Sequence, residues 1–433
     1  MQRYAINQLL QWKNNPGHMP LIVRGARQVG KTWLMREFGR KHYKKMAYFS
    51  FDNSPRLANI FQQDMNIQRI IDNLDIEAGI AIRPHDTLII FDEIQECPLA
   101  LTSLKYFCEN APEYDIIAAG SLLGVASHKG TGFPVGKVEY LNLYPLSFRE
   151  FLLAMGEESL LKIIEENRFD MQKIFKDRLT DCLRRYCYIG GMPKVVSDFC
   201  NTRDYQKARR LQKNILADYE NDFSKHIPAE QAERARLLWY AIPSQLVKEN
   251  KKCVYGRIKE GARSKDFELA LNWLIDAGLV YKISRITEPK IPLKAYEDVS
   301  AYKLFLLDTG LLAAMNDINA KTILENDALF NNYNGAITEQ YVLQELKTID
   351  DIPIFYWANN RSEIDFMIQY GSNVIPVEAK ATINLQAKSL KSFRQKYSPA
   401  VSVRTSLADY EENNGLWNIP LYSISGIKKI LPE

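Results

Sequence analysis

The sequence predicts an α/β protein of several domains: a nucleotide-binding core on a parallel sheet, a helical middle, and a second α/β region near the C-terminus. Three observations carry this. A phosphate-loop pattern sits between a short apolar strand and a helix at Gly25 to Thr32. An apolar strand closing on Asp92 and Glu93 follows 61 residues after Lys31 (92 − 31). A charged β-hairpin, "SEIDFMIQYGSNVIPVEAK", spans Ser362 to Lys380. At 433 residues the chain should hold three or so domains of about 150 residues each.

Composition bounds the function classes. A hydrophobic fraction of 46% with 25% charged residues is that of an ordinary globular protein. The net charge of +4 is too small for nucleic-acid binding by the whole surface, so any basic patch must be local. Six cysteines form no CxxC pair and only five histidines accompany them, which argues against structural zinc and fits free thiols in a reducing cytoplasm. The N-terminal "MQRYAINQLLQWKNN" is amphipathic without the apolar core of a signal peptide, and no apolar run approaches the roughly 20 residues of a membrane span. A soluble cytoplasmic protein with no membrane partner is expected.

"PLIVRGARQVGKTWLMREF" reads as strand, turn, helix, with Leu34 and Phe38 at helical spacing. The turn fits G-x-x-x-x-G-K-[ST]. Glycines let backbone N–H groups curl around phosphate oxygens, and the helix N-terminus adds its positive dipole end. Gly25, Ala26, Arg27, Gln28, Val29, Gly30, Lys31, Thr32 and Trp33 would hold ATP. Lys31 would reach the β- and γ-phosphates, and the Thr32 hydroxyl would ligate Mg²⁺. In "TLIIFDEIQ", Asp92 stands at the carboxyl end of a strand, where ligands sit in open α/β sheets, and would hold Mg²⁺ through water. Glu93 could polarise the attacking water. The strand "DIIAAGS" ends in Ser121, a hydroxyl suited to sensing the γ-phosphate. With "KMAYFSF" (45–51) and "KVEYLNL" (137–143), five short strands alternate with helices. The dinucleotide fingerprint is absent from the turn, so NAD is not expected.

Together "GARQVGKT", "IIFDEIQ", "AAGSLLG" and "YPLSFREFL" resemble the AAA-type ATPases of bacteria and archaea that carry a restriction-endonuclease-like C-terminal domain. The resemblance covers essentially the whole chain. It implies an AAA+ core with Ser121 at the sensor 1 position, followed by a helical lid. The expected partition is an ATPase core over 1–155, a lid over 156–227, a winged helix over 228–310 and a PD-(D/E)xK nuclease-like domain over 311–433.

From about 150 to 227 the pattern is helical and charge-rich, broken at "YIGGMPKVV". The resemblance implies that Pro193 lies near the adenine; a plain interhelical turn is the other reading. Between 231 and 310 the order is three helices then two strands. Phe267, Ala270, Leu271, Leu274 and Ile275 form a packing stripe that Gly278 stops, the outline of a winged helix. Residues 248–265 hold seven basic and two acidic residues, which suits phosphate contact or a solvated face.

In "IDFMI" strict alternation puts Ile364, Phe366 and Ile368 on one side and Asp365 and Met367 on the other. "VIPVEAK" turns Ile375, Val377 and Ala379 inward and sets Glu378 with Lys380 opposite. Asp365 and Glu378 could then hold Mg²⁺ or Mn²⁺ against a phosphodiester, with Lys380 stabilising charge. Glu339, on the face of "GAITEQYVLQELK" expected to bury, completes the helix-Glu, strand-Asp, Glu-x-Lys order of the PD-(D/E)xK fold. The expectation is an ATP- and Mg²⁺-dependent ATPase, with Lys31, Glu93 and Ser121 acting in hydrolysis, that couples nucleotide state to DNA binding or cleavage. The alternative is a switch or remodeller acting on a protein partner, its nuclease-like fold silent. Self-association is left open.

Overall fold

The computed structural model describes residues 1–120, 134–247, 252–325, 330–349, 352–382 and 387–431. Two compact units emerge, Gln2–Tyr144 with Asp276–Gly278, and Pro145–Ile275 with Leu279–Glu433.

The N-terminal unit is built on β1 (Leu21–Arg24), β2 (Lys45–Ser50), β3 (Thr87–Asp92), β4 (Ile116–Ala119) and β5 (Glu139–Asn142). These are the five strands the sequence predicts. All pair in parallel, in the order β2-β3-β4-β1-β5. β3 is buried along its whole length, as an unbroken apolar run requires when neighbours lie on both sides. The edge strand β2 instead alternates buried and open positions. Helices Pro55–Gln62, Ile67–Ala78 and Pro98–Asn110 cover one region of core in which Phe49, Phe51, Phe61 and Phe91 meet edge to face or tilted. Asn66 caps the second of these helices by accepting from the Arg69 N–H, and Gly79 ends it in the left-handed region.

The N-terminal unit stops at Tyr144, before the expected boundary at 155. The cause is the helix Phe148–Met155, whose Phe148 and Phe151 rings stack edge-on against Tyr186, with Tyr341 completing the cluster. In the C-terminal unit, helices Lys176–Ile189, Pro193–Thr202, Tyr205–His226 and Ala229–Leu246 precede an eight-stranded mixed sheet. Its strands are β6 (Val280–Ile286), β7 (Glu297–Leu306), β8 (Ile354–Ala358), β9 (Glu363–Tyr370), β10 (Asn373–Ala379), β11 (Ser402–Ser406), β12 (Glu411–Asn413) and β13 (Leu416–Pro420). Their order is β12-β13-β11-β10-β9-β8-β6-β7.

Two expectations need correction. The β6/β7 hairpin, read as the wing of a separate module ending at 310, belongs to this larger sheet, because β6 also pairs in parallel with β8. Ile286 buries its side chain with Phe355, Trp357 and Ile364, which makes the pairing apolar as well as hydrogen-bonded. Strict alternation along β9 also fails. Ile364 and Met367, three apart, pack in that same cluster. The β8/β9 register shifts so that Asp365 and Phe366 together oppose Tyr356. Such a bulge re-aims a side chain, and it falls at Asp365. No helix among the described residues is long and apolar enough to cross a membrane.

Candidate nucleotide site and carboxylate cluster

The phosphate loop follows β1 and leads into the helix Lys31–His42. Gly25 is required by space: a Cβ there would lie 2.3 Å from the Leu143 carbonyl oxygen. Gln28 and Gly30 have φ of 66° and 97°, a left-handed course that turns the chain into the helix. Lys31 is buried, and its Nζ donates to the carbonyls of Gly25 (2.9 Å) and Ala26 (3.0 Å). Burial draws its pKa down to about 8, against the pull of Glu93 and Asp92. Trp33 is partly exposed on the following turn.

Asp92 ends β3 and is 4% exposed. Its Oδ2 accepts from Thr32 Oγ1 at 2.6 Å and from the Tyr48 hydroxyl at 2.8 Å. Glu93 follows in the left-handed region (φ 52°), an uncommon conformation for a side chain of its size, and its Oε2 accepts from Gln95 Nε2 at 2.6 Å. The structure therefore brings Lys31, Thr32, Asp92 and Glu93 together. Three residues escaped the sequence reading. Tyr48 and Gln95 bond the two acids, and buried Arg3 donates to the Val29 carbonyl (3.0 Å) and the Tyr144 carbonyl (2.6 Å), holding the loop from behind. Spacing gave no signal for Arg3, since a lone arginine at a chain start reads as solvated charge. A hydroxyl and a carboxylate facing each other are hard oxygen donors, and this pair fits Mg²⁺. Ser121 lies outside the described residues.

Pro193 is the first residue of its helix, after Gly190 and Gly191. The turn is built around Asp308, fully buried, whose Oδ2 accepts from the Gly191 N–H at 2.6 Å. A Cβ on Gly190 would sit 2.2 Å from that carboxylate, so the glycines are accounted for by a structural clamp. Burial raises the Asp308 pKa to about 6, opposed by the Gly191 and Leu311 N–H groups.

Glu339, Asp365 and Glu378 are all buried, and Lys380 is half-buried beside them. Asp365 Oδ2 accepts from the Ala379 N–H at 2.9 Å. Glu378 Oε1 meets Lys380 Nζ at 2.7 Å. The sequence missed Lys303 on β7. It is fully buried, lies 3.9 Å from Glu339, pairs with Glu363 and sits over the Tyr356 ring. Burial pulls its pKa down most strongly, yet Glu339, Glu363 and Asp365 together hold it above the ordinary lysine value. Glu378 is pushed up by burial and by Asp365, with Lys380 opposing. A lysine in "SAYKLFLL" looks solvent-facing in sequence; only the packing of β7 against the helix Phe330–Lys347 and β9 reveals it.

The expected metal ligands Asp365 and Glu378 do not fit a resident cation as arranged. Among the described residues, no three His, Cys, Asp or Glu side chains are grouped to hold one. Lys303 instead faces Glu339, and Lys380 pairs with Glu378. All six cysteines are free thiols.

Comparison with known proteins bears on these sites unevenly. Residues 17–152 match a family described as AAA domain. Residues 180–322 and 334–424 match two families each described as a domain of unknown function, DUF8612 and DUF4143. The chain is 21% identical to the uncharacterized protein MJ1544 of Methanocaldococcus jannaschii, over 98% of this chain and 87% of the relative. Among solved structures, it is similar to a Walker-type ATPase of Pyrococcus abyssi (13% identity, 73% of this chain and 95% of that one, TM-score 0.44). It is also similar to Cdc6p of Pyrobaculum aerophilum (14% identity, 74% and 93%, TM-score 0.25). The phosphate loop, the Asp92–Glu93 strand end and the matched family agree: the N-terminal region is an AAA-type, ATP-binding ATPase domain.

Proposed function

We propose that the chain is a Mg²⁺-dependent ATPase whose nucleotide state controls engagement of DNA by its C-terminal unit. The observation that carries the ATPase half is the contact between Thr32 and Asp92, with Glu93 next in the chain. Lys31 leaves its loop carbonyls for the β- and γ-phosphates, where its charge is needed as the bond to the leaving phosphate breaks. Thr32 and Asp92 would hold Mg²⁺, which would supply charge neutralisation for the phosphates. Glu93, released from Gln95, orients the attacking water, a role typically worth about 10² to 10⁴ in rate. Ser121 senses the γ-phosphate in this reading. The lysine-paired carboxylates act as structure within the DNA-engaging unit.

A second reading, phosphodiester cleavage at Glu339, Asp365, Glu378 and Lys380, is favoured by one observation. Glu378 Oε2 is buried with no hydrogen-bond partner among the described residues, an acceptor open to something from outside. One set of assays separates the readings. Phosphate release is measured for wild type and Glu93→Gln, DNA affinity in ATP and in ADP, and DNA cleavage for wild type, Asp365→Ala and Lys380→Ala. ATP-dependent affinity without cleavage supports the first reading. Cleavage lost in both C-terminal variants, with hydrolysis intact, replaces it with the second. No DNA affinity in any nucleotide overturns both and turns the search to a protein partner.

A further inference from the structure

A cavity of about 830 Å³ opens in the C-terminal unit between the helix Lys388–Tyr397 and the sheet, within the size range of ligand pockets. Lys388, Lys391, Arg394 and Arg404 line it, with Leu390 and Leu416 among the apolar residues, and among the described residues no carboxylate stands in the lining. Arg404 forms the inner wall. It is 7% exposed, and its Nε donates to Asn418 Oδ1 at 3.1 Å, which fixes the plane of the guanidinium. The acid acting on it is Glu411 of β12, and burial lowers its pKa from the ordinary arginine value. Arg394 is tied to the Asn414 carbonyl. Lys388 and Lys391 stand one helical turn apart at the exposed rim.

We infer that this cavity holds a phosphate-bearing ligand of nucleotide size, the phosphate among the four cations and the base and sugar against Leu390 and Leu416. A fixed guanidinium offers planar, paired donors to phosphate, and the two rim lysines add mobile charge. An apolar floor suits the body of a nucleotide, and four cations in the lining suit its phosphate. Arg404 is the register partner of Glu378 on the adjacent strand, so the cavity adjoins the carboxylate cluster. The ligand's source is either a free nucleotide or the 5′-phosphorylated end of a nucleic-acid strand. The strand-end case rests on the DNA reading above.

The test uses the full chain with Glu93→Gln, loaded with ATP and Mg²⁺ and freed of excess nucleotide, so that the ATP site is filled and the DNA-engaging state is held. Lys388→Glu and Lys391→Glu are added together; both residues are exposed, and an unchanged melting midpoint verifies folding. The probes are a fluorescent 5′-phosphorylated oligodeoxythymidylate and thymidine 5′-monophosphate. The expected result is oligonucleotide binding weakened about tenfold or more by the double charge reversal. Removing two cations should also flatten the log–log salt slope by about 1.4, at about 0.7 per phosphate contact on single strands. Monophosphate binding alone, lost in the double variant, keeps the cavity and overturns the DNA reading. Oligonucleotide binding indifferent to the double variant overturns the cavity and leaves the DNA reading standing. No binding of either probe overturns both.

Discussion

The two carboxylate sites of this chain answer their charge in opposite ways. Asp92 is bonded to two hydroxyls, Thr32 and Tyr48, which satisfy its lone pairs but leave its negative charge in place. Glu339 and Glu378 instead face ammonium groups, Lys303 and Lys380, that belong to the chain itself. A buried charge must be paired, and the pairing atom decides what the site can do next. Hydroxyl partners yield their oxygens to an incoming cation at small cost. A lysine partner has to be displaced, and its ammonium group then needs a new partner or water. The first site therefore keeps an unanswered negative charge, and the second answers part of its charge from within the chain.

The comparison can be broken most strongly at Glu93. Glu93→Gln should slow phosphate release by about 10² to 10⁴ while ATP still binds. A rate within a few-fold of wild type would remove Glu93 from the chemistry. Lys303→Met strands Glu339 and Glu363 without their cation, and chemical denaturation should show a loss of about 3–5 kcal/mol. Pairing that change with Glu339→Gln should recover a large part of the loss. If Lys303→Met costs nothing, the cluster is not held by its lysines and the contrast falls.

A third prediction sharpens the point with a fully buried acid bonded to a backbone N–H. Glu345 is fully buried and accepts from the Phe148 N–H at 2.8 Å. Burial raises its pKa from 4.5 to about 7, against that N–H and Arg149. The folded chain then keeps a proton that the unfolded chain releases, so its contribution to stability is greatest below about 4.5 and is lost as pH rises through about 7. Urea titrations of Glu345→Gln should show a flatter pH profile across that window, and an unchanged profile would assign the slope elsewhere. The smallest effect is expected from Tyr48→Phe, which removes one hydrogen bond to Asp92 worth about 1 kcal/mol. The Mg²⁺ concentration for half-maximal ATPase activity should shift a few-fold downward, since Asp92 is freed for the cation. An upward shift would make the hydroxyl part of the cation site.

Much of the nucleotide site was legible because its chemistry is local. Gly25, Gly30, Lys31 and Thr32 lie within eight consecutive residues, and Asp92 is marked by the apolar strand it ends. Tyr48 was hidden because its role depends on β2 pairing with β3, where Ser50 stands opposite Asp92. The C-terminal cluster was legible only in part. Glu339, Asp365, Glu378 and Lys380 follow a recognisable order, but period-two reasoning misplaced Met367, since a bulge at Asp365 cannot be read from alternation. The wing hairpin was assigned to its own module because two strands after a helix look complete. Nothing local announces that β6 will take β8 as a second neighbour.

By itself the sequence determined what is short-range: the phosphate loop, the strand ends carrying Asp92 and Glu93, several helices, and the buried face of Glu339. These depend on dihedral preferences and periodicities within a dozen residues or so. Tertiary structure alone decided which partners those groups meet. Lys303 is 36 residues from Glu339 (339 − 303) and 60 from Glu363 (363 − 303), so its effect on the cluster exists only once β7 joins the sheet. Whether a carboxylate is answered by a hydroxyl or by an ammonium is a long-range fact, set by burial and register, and it is what separates the two sites.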